Sequence, residues 1–309
     1  MSGPDRMSGV LSPVITPFHA DLSVDTGKLV RQCRWLMARD CGLAVFGTNS
    51  EANSLSVDEK IDVLDALAGA GLDAARMMPG TGACAIPDTV RLTAHAVKLG
   101  CSGVLMLPPF YYKGVSDEGL FRAYSEVIQR VGDARLRIYL YHFPQLSGVP
   151  ITLTLIERLL AAYPDTVVGI KDSSGDWSNM EAMLTRFPGF AMFAGNETVL
   201  LKNMKQGGAG CISATANINP AALAELAANW RAPDAQARQD AMNGLRTIFG
   251  KYPLIPAMKA AVAHYSGDPE WERVRPPLVE LPAAEKAALL GELSALGFAM
   301  PGLAEAQTA

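Results

Sequence analysis

The chain has 309 residues, of which 49% are hydrophobic and 19% are charged, and its formal net charge is −4. This length and composition allow a large core and predict one large domain, or one domain with an appendage. The sequence has no Lys/Arg cluster suited to a phosphate backbone, no signal-peptide pattern and no apolar run long enough to span a bilayer, so we predict a cytoplasmic protein that binds neither nucleic acid nor membrane.

Short apolar, β-branched runs alternate along the chain with stretches whose apolar residues have helical spacing. Two of these stretches begin with a serine followed by acidic residues, at Ser56 and Ser116, a pattern typical of helix N-termini. The candidate strands are residues 10–18, 43–47, 76–80, 103–108, 136–141, 167–171, 190–195 and 210–213. Eight repeats of strand and helix predict an α/β fold, a (β/α)8 TIM barrel, over residues 1–225.

From residue 219 onward the strand signal ends, and Ala- and Leu-rich helical sequence continues to the C-terminus. We predict a C-terminal α-helical domain over residues 226–309. The alternative is that these helices are the last helix of the barrel together with additional cover. No low-complexity linker separates the two parts.

Cysteine and histidine positions give no metal-binding pattern. The five cysteines are an odd number without a C-x-x-C pair, and the four histidines lack H-x-x-x-H or H-x-H spacing. The sequence also contains no P-loop and no G-x-S-x-G motif, and we interpret the Gly-rich residues 80–85 as a tight turn. We therefore expect reduced cysteines and no bound metal.

A lysine and a tyrosine end neighbouring predicted strands, where TIM barrels carry their active sites. Lys171 ends the sixth candidate strand and Tyr141 ends the fifth. A buried ammonium is poorly solvated, which favours the neutral amine that attacks a ketone, and a neighbouring phenol can transfer the protons that carbinolamine formation requires. The pair predicts Schiff-base chemistry. The alternative is that Lys171 marks the exit of its strand into solvent or pairs with Asp172.

Four motifs, in this order and spacing, resemble the dihydrodipicolinate synthase / N-acetylneuraminate lyase superfamily. They are GTNSEANSLSVDEK (47–60), PPFYYKGVSDEGL (108–120), YHFPQLSGV (141–149) and VVGIKDSSGD (167–176). The resemblance covers nearly the whole chain. It implies a barrel with a C-terminal helical domain, a homotetramer, and pyruvate or another 2-oxo acid bound as an imine to lysine without a metal cofactor.

Four catalytic roles follow from this resemblance. Lys171 matches the Schiff-base lysine, and Tyr141 matches the proton-shuttling tyrosine. Thr48 matches the hydroxyl that links this tyrosine to a second one. Tyr112 matches that second tyrosine, which a neighbouring subunit supplies in the synthases.

The loop that holds the 2-oxo acid carboxylate in the superfamily reads G-[TS]-T-G-E, and two of its positions differ here. Asn49 stands where the pattern has a hydroxyl residue, and Ser50 stands where it has glycine. An amide can still donate to a carboxylate. We therefore expect Asn49 and Ser50 to contact the substrate, with contacts that differ from those of the family pattern.

The residues that would meet the substrate's tail also depart from the superfamily. Leu146 stands where the synthases usually carry an arginine that binds the carboxylate of the second substrate, which argues against aspartate semialdehyde. Sialic acid lyases use a G-x-D-E segment and a serine after the eighth strand, whereas this chain has Gly195-Asn196-Glu197-Thr198 and Ala214. We predict that the substrate's tail differs from that of sialic acid. The residues expected to contact it are Leu146, Gly195, Asn196, Glu197, Thr198 and Ile212.

The leading hypothesis is a class I aldolase that cleaves a 2-oxo-3-deoxy sugar acid, or a related 4-hydroxy-2-oxo acid, to pyruvate and an aldehyde. One alternative is a dehydratase of a 2-oxo-3-deoxy acid, because elimination of water begins at the same imine. Another is a 4-hydroxy-tetrahydrodipicolinate synthase. From a different class, a non-catalytic 2-oxo acid-binding paralogue would be favoured only if Lys171 or Tyr141 were missing, and both are present.

Overall fold

A computed structural model describes residues 6–308 of the chain. Its strands are β1 (Gly9–Ser12), β2 (Gly42–Leu43), β3 (Val104–Met106), β4 (Ile138–His142), β5 (Val167–Asp172), β6 (Ala191–Ala194) and β7 (Gly210–Ile212). Proline shortens the first of these relative to the predicted run at residues 10–18, because Pro13 has no N–H to donate to a neighbouring strand.

The α-helices that the structure describes are α1 (Thr26–Met37), α2 (Val57–Gly69), α3 (Ile86–Lys98), α4 (Asp117–Val131), α5 (Pro144–Ser147), α6 (Leu153–Ala162), α7 (Trp177–Arg186), α8 (Leu200–Lys205), α9 (Pro220–Ala228), α10 (Ala235–Phe249), α11 (Leu254–Ser266), α12 (Ala283–Ala295) and α13 (Leu303–Thr308). The two predicted N-termini are correct. Ser56 and Glu59 form a capping box at α2, and the hydroxyl of Ser116 accepts from the N–H of Gly119 at α4.

The strands form one parallel sheet in the order β2-β1-β7-β6-β5-β4-β3. Its two edge strands are connected through residues 77–81, which form one parallel bridge to each, Leu43 with Met77 and Gly80 with Leu105. The N–H of Met78 donates to the Leu43 carbonyl at 2.8 Å, and the N–H of Leu105 donates to the Pro79 carbonyl at 2.9 Å. The sheet therefore curls until its edges meet, in an α/β fold with helices after its strands.

The third predicted strand, residues 76–80, does not form a regular strand in the structure. Within residues 6–308 seven segments are strands, and this eighth segment makes only single bridges. Pro79 cannot donate to a ladder. A side chain at Gly80 would collide with the carbonyl of Phe46, so the backbones approach too closely for a regular pleat.

Two layers of apolar side chains hold the sheet and helices together. An inner cluster fills the space enclosed by the sheet and includes Met78, Tyr139, Tyr141 and Phe193. A larger outer cluster packs the other face of the strands, including Ile138 and Leu140, against the helices. Because side chains alternate along a strand, β4 contributes to both layers, and its last inward position is Tyr141.

The C-terminal part of the chain is helical, as the sequence predicts, and contacts the loop after β6. The predicted boundary between residues 225 and 226 falls inside α9. From α10, the amide of Gln239 donates to the carbonyl of Glu197 at 2.8 Å and accepts from the N–H of Leu201 at 2.9 Å. Among the described residues no helix has the length and hydrophobicity needed to span a membrane.

Candidate active site

Three predicted residues meet at the C-terminal ends of the strands. Tyr141 on β4 and Lys171 on β5 are direct neighbours in the ladder. The Lys171 amine lies 3.2 Å from the Tyr141 hydroxyl and 4.3 Å from the centre of its ring, and the Thr48 hydroxyl lies 3.0 Å from the same phenol oxygen. Lys171 is only 2% exposed. A buried amine thus contacts a phenol, which is itself connected to a second hydroxyl.

Asp172 is not the partner of Lys171, which removes the alternative of a strand-end ion pair. Successive side chains on a strand point to opposite faces. The Asp172 carboxylate accepts from the N–H and hydroxyl of Ser174 and from the amide of Asn179. These contacts fix the turn that follows β5, on the side away from Tyr141.

A cavity of about 350 Å³ opens beside the lysine. One wall consists of residues at the strand ends, among them Thr48, Asn49, Tyr141, Leu146, Lys171 and Asn196. Further lining residues belong to the C-terminal part of the chain and are Arg246, residues 253–256 and Leu278. The reactive amine therefore lines the same space as residues from a distant part of the chain.

The predicted carboxylate loop divides between the cavity and the protein interior. Thr48 and Asn49 line the cavity, whereas Ser50 and Glu51 turn inward and are buried. The carbonyl of Ser50 accepts from the Thr16 hydroxyl at 2.7 Å, and Glu51 forms an ion pair with Lys259, whose side chain is fully buried. Asn49 therefore remains a candidate for contact with the substrate's carboxylate, whereas Ser50 does not line the cavity.

The predicted tail-binding residues also divide into two groups. Leu146, Gly195 and Asn196 line the cavity. A side chain at position 195 would collide with Ser173 and with the carbonyl of Asp172, so only glycine fits this close approach.

Glu197, Thr198 and Ile212 do not line the cavity, contrary to the prediction for the substrate tail. Glu197 is 1% exposed, and its carboxylate accepts a hydrogen bond from Ser213 in the interior. Thr198 faces solvent, with its N–H donating to Asn196 at 3.0 Å. Ile212 belongs to the apolar cluster inside the sheet.

The chain matches the model of the dihydrodipicolinate synthetase family over residues 6–296. It belongs to this family. An uncharacterised DapA-like lyase of Chloroflexus aurantiacus is 34% identical over 284 residues, which cover 91% of this chain and 94% of the relative.

Two solved structures of the family are similar over almost their whole length. Dihydrodipicolinate synthase from Agrobacterium tumefaciens has 32% identity and a TM-score of 0.87, covering 93% of this chain and 99% of that one. YagE from Escherichia coli K12, solved in complex with pyruvate, has 26% identity and a TM-score of 0.87, covering 95% and 100%. The resemblance inferred from the four motifs is therefore confirmed.

In this family member the second predicted tyrosine lies outside the cavity. Tyr112 is 73% exposed and stacks edge-on against Tyr111, with ring centres 5.3 Å apart. It lies in the segment between β3 and α4, which is largely exposed in the single chain. The structure of one chain thus does not bring Tyr112 to Lys171.

Sequence reasoning missed the residues that the C-terminal part contributes to this family member's cavity. Arg246 is on α10, Pro253 precedes α11 and residues 254–256 belong to the first turn of α11, all far along the chain from the strand ends. Their sequence carries no signal of a site, because Arg246 stands in ordinary helical sequence with polar and apolar neighbours. Ser173 was missed although it follows Asp172 directly.

Metal ligands do not cluster in the part of the chain that the structure describes. Over residues 6–308 no group of three or more His, Cys, Asp or Glu is arranged to hold a metal ion. His142, next to Tyr141, uses its ring Nδ1 to accept from the N–H of Ile151 at 3.0 Å, and burial lowers the pKa of this imidazole. We assign it to the support of the loop after β4.

Proposed function

We propose that the protein is a class I aldolase that cleaves a 4-hydroxy-2-oxo acid, such as a 2-oxo-3-deoxy sugar acid, to pyruvate and an aldehyde. The observation that carries this proposal is the contact of the buried Lys171 amine with the Tyr141 phenol, 3.2 Å away, at the wall of an open cavity. Within residues 6–308 no carboxylate pairs with this amine, so it is suited to attack a ketone, and the phenol is placed to move protons at the carbon that the amine attacks.

The reaction begins when the Lys171 amine attacks the substrate's C2 carbonyl. Tyr141 delivers a proton to the carbinolamine oxygen, and water leaves to give the iminium. Tyr141 then takes the proton of the 4-hydroxyl while the C3–C4 bond breaks, and the electron pair of that bond moves into the iminium to form an enamine. Protonation at C3 and hydrolysis release pyruvate and restore the lysine amine. Thr48, 3.0 Å from the phenol oxygen, keeps Tyr141 in its position.

Family membership supports the broader parts of this proposal. We assign the curled sheet to a (β/α)8 barrel, and the helices from α10 onward to a C-terminal helical domain. Thr48 and Asn49 would hold the substrate's carboxylate. We also propose a homotetramer in which Tyr112 of a neighbouring subunit completes the site, since its exposed ring leaves it available for such a contact. The imine on Lys171 requires no metal.

A 4-hydroxy-tetrahydrodipicolinate synthase is the second candidate, and the 32% identity to the Agrobacterium tumefaciens synthase favours it. Leu146 argues against it, because this exposed leucine stands where the synthases usually carry the arginine that binds the carboxylate of aspartate semialdehyde. A dehydratase would share the imine and differ in the bond that breaks. Assays of pyruvate release, of dehydrated product and of condensation with aspartate semialdehyde distinguish the three reactions.

The decisive experiment is reduction of the imine. Borohydride added with pyruvate should leave a stable mass increase on the peptide that contains Lys171. Lys171→Met should abolish the adduct, while Lys60→Met, the same change on α2 away from the cavity, should retain it. A folded wild-type protein without an adduct at Lys171 would disprove the proposal. EDTA should not change the activity, and strong inhibition by it would contradict a metal-free mechanism.

A further inference from the structure

The charges around the cavity are unbalanced. Among residues 6–308, the side chains that line it include two basic groups, Lys171 and Arg246, and no Asp or Glu. When Lys171 forms an imine with a 2-oxo acid, the iminium and the substrate's own carboxylate compensate each other. The guanidinium of Arg246 then remains without a counter-charge in the complex.

Arg246 also differs from the other arginine of helix α10. Arg238 forms ion pairs with Glu225 at 2.5 Å and with Asp234 at 2.9 Å. The Arg246 guanidinium forms no ion pair and no hydrogen bond with any group in residues 6–308, although it lies in the wall of the cavity. Its fork of N–H donors is therefore available to a ligand.

Contacts of Gln239, two turns earlier on α10, position the helix face that carries Arg246. Gln239, buried on α10, hydrogen-bonds to the backbone of Glu197 and Leu201 after β6. Arg246 follows Gln239 by seven residues, which is two helical turns and the same helix face. The contacts that fix α10 against the β6 loop therefore also direct Arg246 towards the strand ends.

A second donor is available in the lining of the same cavity. The side-chain oxygen of Asn196 accepts from the N–H and hydroxyl of Thr198, which leaves the amide NH₂ group without a protein partner within residues 6–308. Asn196 lines the same cavity as Arg246. A guanidinium and an amide NH₂ are both donors, and together they suit an acceptor that carries negative charge.

We propose that Arg246 is a specificity-determining residue that binds a second carboxylate of the substrate, at the end remote from the imine. This inference rests on the proposed function and narrows its substrate to 2-oxo acids with a terminal carboxylate, so that the aldehyde product also carries one. A carboxylate matches one guanidinium as a bidentate pair. A phosphate dianion would require a further cation, and Lys171 is already engaged in the imine.

The test measures pyruvate-dependent aldol addition with aldehydes matched in length. Glyoxylate is compared with glycolaldehyde, and succinic semialdehyde with 4-hydroxybutanal, as ratios of kcat/KM. The wild type should prefer the charged member of at least one pair by about 10- to 100-fold, the effect of one hydrogen-bonded charge. Arg246→Gln should lose this preference, Arg246→Lys should keep part of it, and Arg238→Gln on the same helix should behave like the wild type.

A binding measurement separates this inference from the proposed function. Calorimetry with 2-oxoglutarate and 2-oxopentanoate, which differ in the terminal carboxylate, should show tighter binding of the former to the wild type and no difference in Arg246→Gln. An adduct at Lys171 without any Arg246-dependent preference would overturn the inference and leave the aldolase proposal standing. An Arg246-dependent preference for 2-oxoglutarate without an adduct at Lys171 would overturn the aldolase proposal and leave Arg246 as the residue that binds the carboxylate. Arg246-dependent selection of glyceraldehyde 3-phosphate over both carboxylates would overturn the carboxylate assignment.

Discussion

Two lysines are buried to almost the same degree, and the structure surrounds them differently. Lys259 on α11 is fully buried, forms an ion pair with Glu51 and donates to the carbonyl of Arg273 at 2.6 Å. Lys171 on β5 is 2% exposed and has the phenol of Tyr141 as its polar contact. Both lysines are connected to the loop after β2. Lys171 contacts Tyr141, which is bound to Thr48 on the cavity side of the loop, and Lys259 contacts Glu51 on the interior side.

The comparison shows that two lysines buried to a similar degree can have different roles when their polar partners differ. The Glu51 carboxylate pairs with the Lys259 ammonium and connects α11 to the loop, although burial lowers the pKa of this amine to about 8. A phenol leaves the amine of Lys171 uncommitted and supplies a proton donor instead. The loop is therefore fixed on its inner side by Glu51 and presents Thr48 and Asn49 on its outer side.

The largest expected effect is the loss of catalysis in Lys171→Met. Activity should fall by at least about 10³-fold, because a covalent intermediate can no longer form and the remaining residues only bind substrate. The free energy of unfolding should change by less than about 1.5 kcal/mol, or should increase, since a buried polar group without a charged partner is replaced by an apolar chain of similar size. Steady-state kinetics and urea denaturation at fixed protein concentration measure the two quantities.

Lys60→Met is the matched control for this variant and should retain activity. Lys60 lies on α2, where burial lowers the pKa of its amine. Substantial residual activity in Lys171→Met would show that Lys171 is not the nucleophile. A large loss of stability in that variant would instead show that Lys171 has a structural role like that of Lys259.

The second-largest expected effect is a loss of folding stability in Lys259→Met. Removal of one partner leaves the Glu51 carboxylate buried and unpaired, which should lower the free energy of unfolding by about 3–5 kcal/mol. Adding Glu51→Gln should restore part of this loss, because the amide keeps an acceptor for the N–H of Arg275, 2.8 Å from Glu51, without a buried charge. A double-mutant cycle by urea denaturation measures the coupling. Strictly additive effects of the two substitutions would contradict the importance of the ion pair.

The sequence was informative where the relevant contacts are local or repeat regularly. Lys171 and Tyr141 could be placed together because each ends an apolar strand, and adjacent parallel strands end at the same edge. Helix N-termini at Ser56 and Ser116 were recognisable from the serine and the acidic residues after it. The segment at residues 76–80 was harder, because Pro79 and Gly80 disturb a run that is otherwise apolar.

The contacts that escaped prediction connect distant parts of the chain. Nothing near Arg246 in the sequence indicates that α10 reaches over the strand ends, since that position depends on the contacts of Gln239 with the β6 loop. The direction of Glu197 depends in the same way on Ser213, which accommodates its carboxylate inside the fold. Such positions are fixed by tertiary packing and leave no periodic signal.

The smallest expected effect concerns Glu59, which joins α2 to the same C-terminal segment that supports Glu51. Hydrogen bonds from the Arg275 guanidinium lower the pKa of the Glu59 carboxyl from 4.5 to about 2. A carboxyl whose pKa is lowered in the folded state contributes its full stabilisation at pH values above its pKa in the unfolded chain. This stabilisation is lost as the pH falls from about 4.5 towards 2. The side chain is one-third exposed, so solvent screening limits the contribution to about 1 kcal/mol.

Glu59→Gln should therefore be less stable than the wild type at pH 6, and the difference should shrink as the pH falls to 3. Glutamine can still complete the capping box with Ser56, so the substitution isolates the charge from the helix cap. Glu118→Gln provides a surface control, because Glu118 is paired with Arg122 and Arg158 at exposed positions where solvent screens the charges. Urea denaturation across this pH range measures the difference. If the stability difference between Glu59→Gln and the wild type stays constant from pH 6 to 3, the charge of Glu59 does not contribute to it. The hydrogen bonds of Glu59 alone would then connect Arg275 to α2.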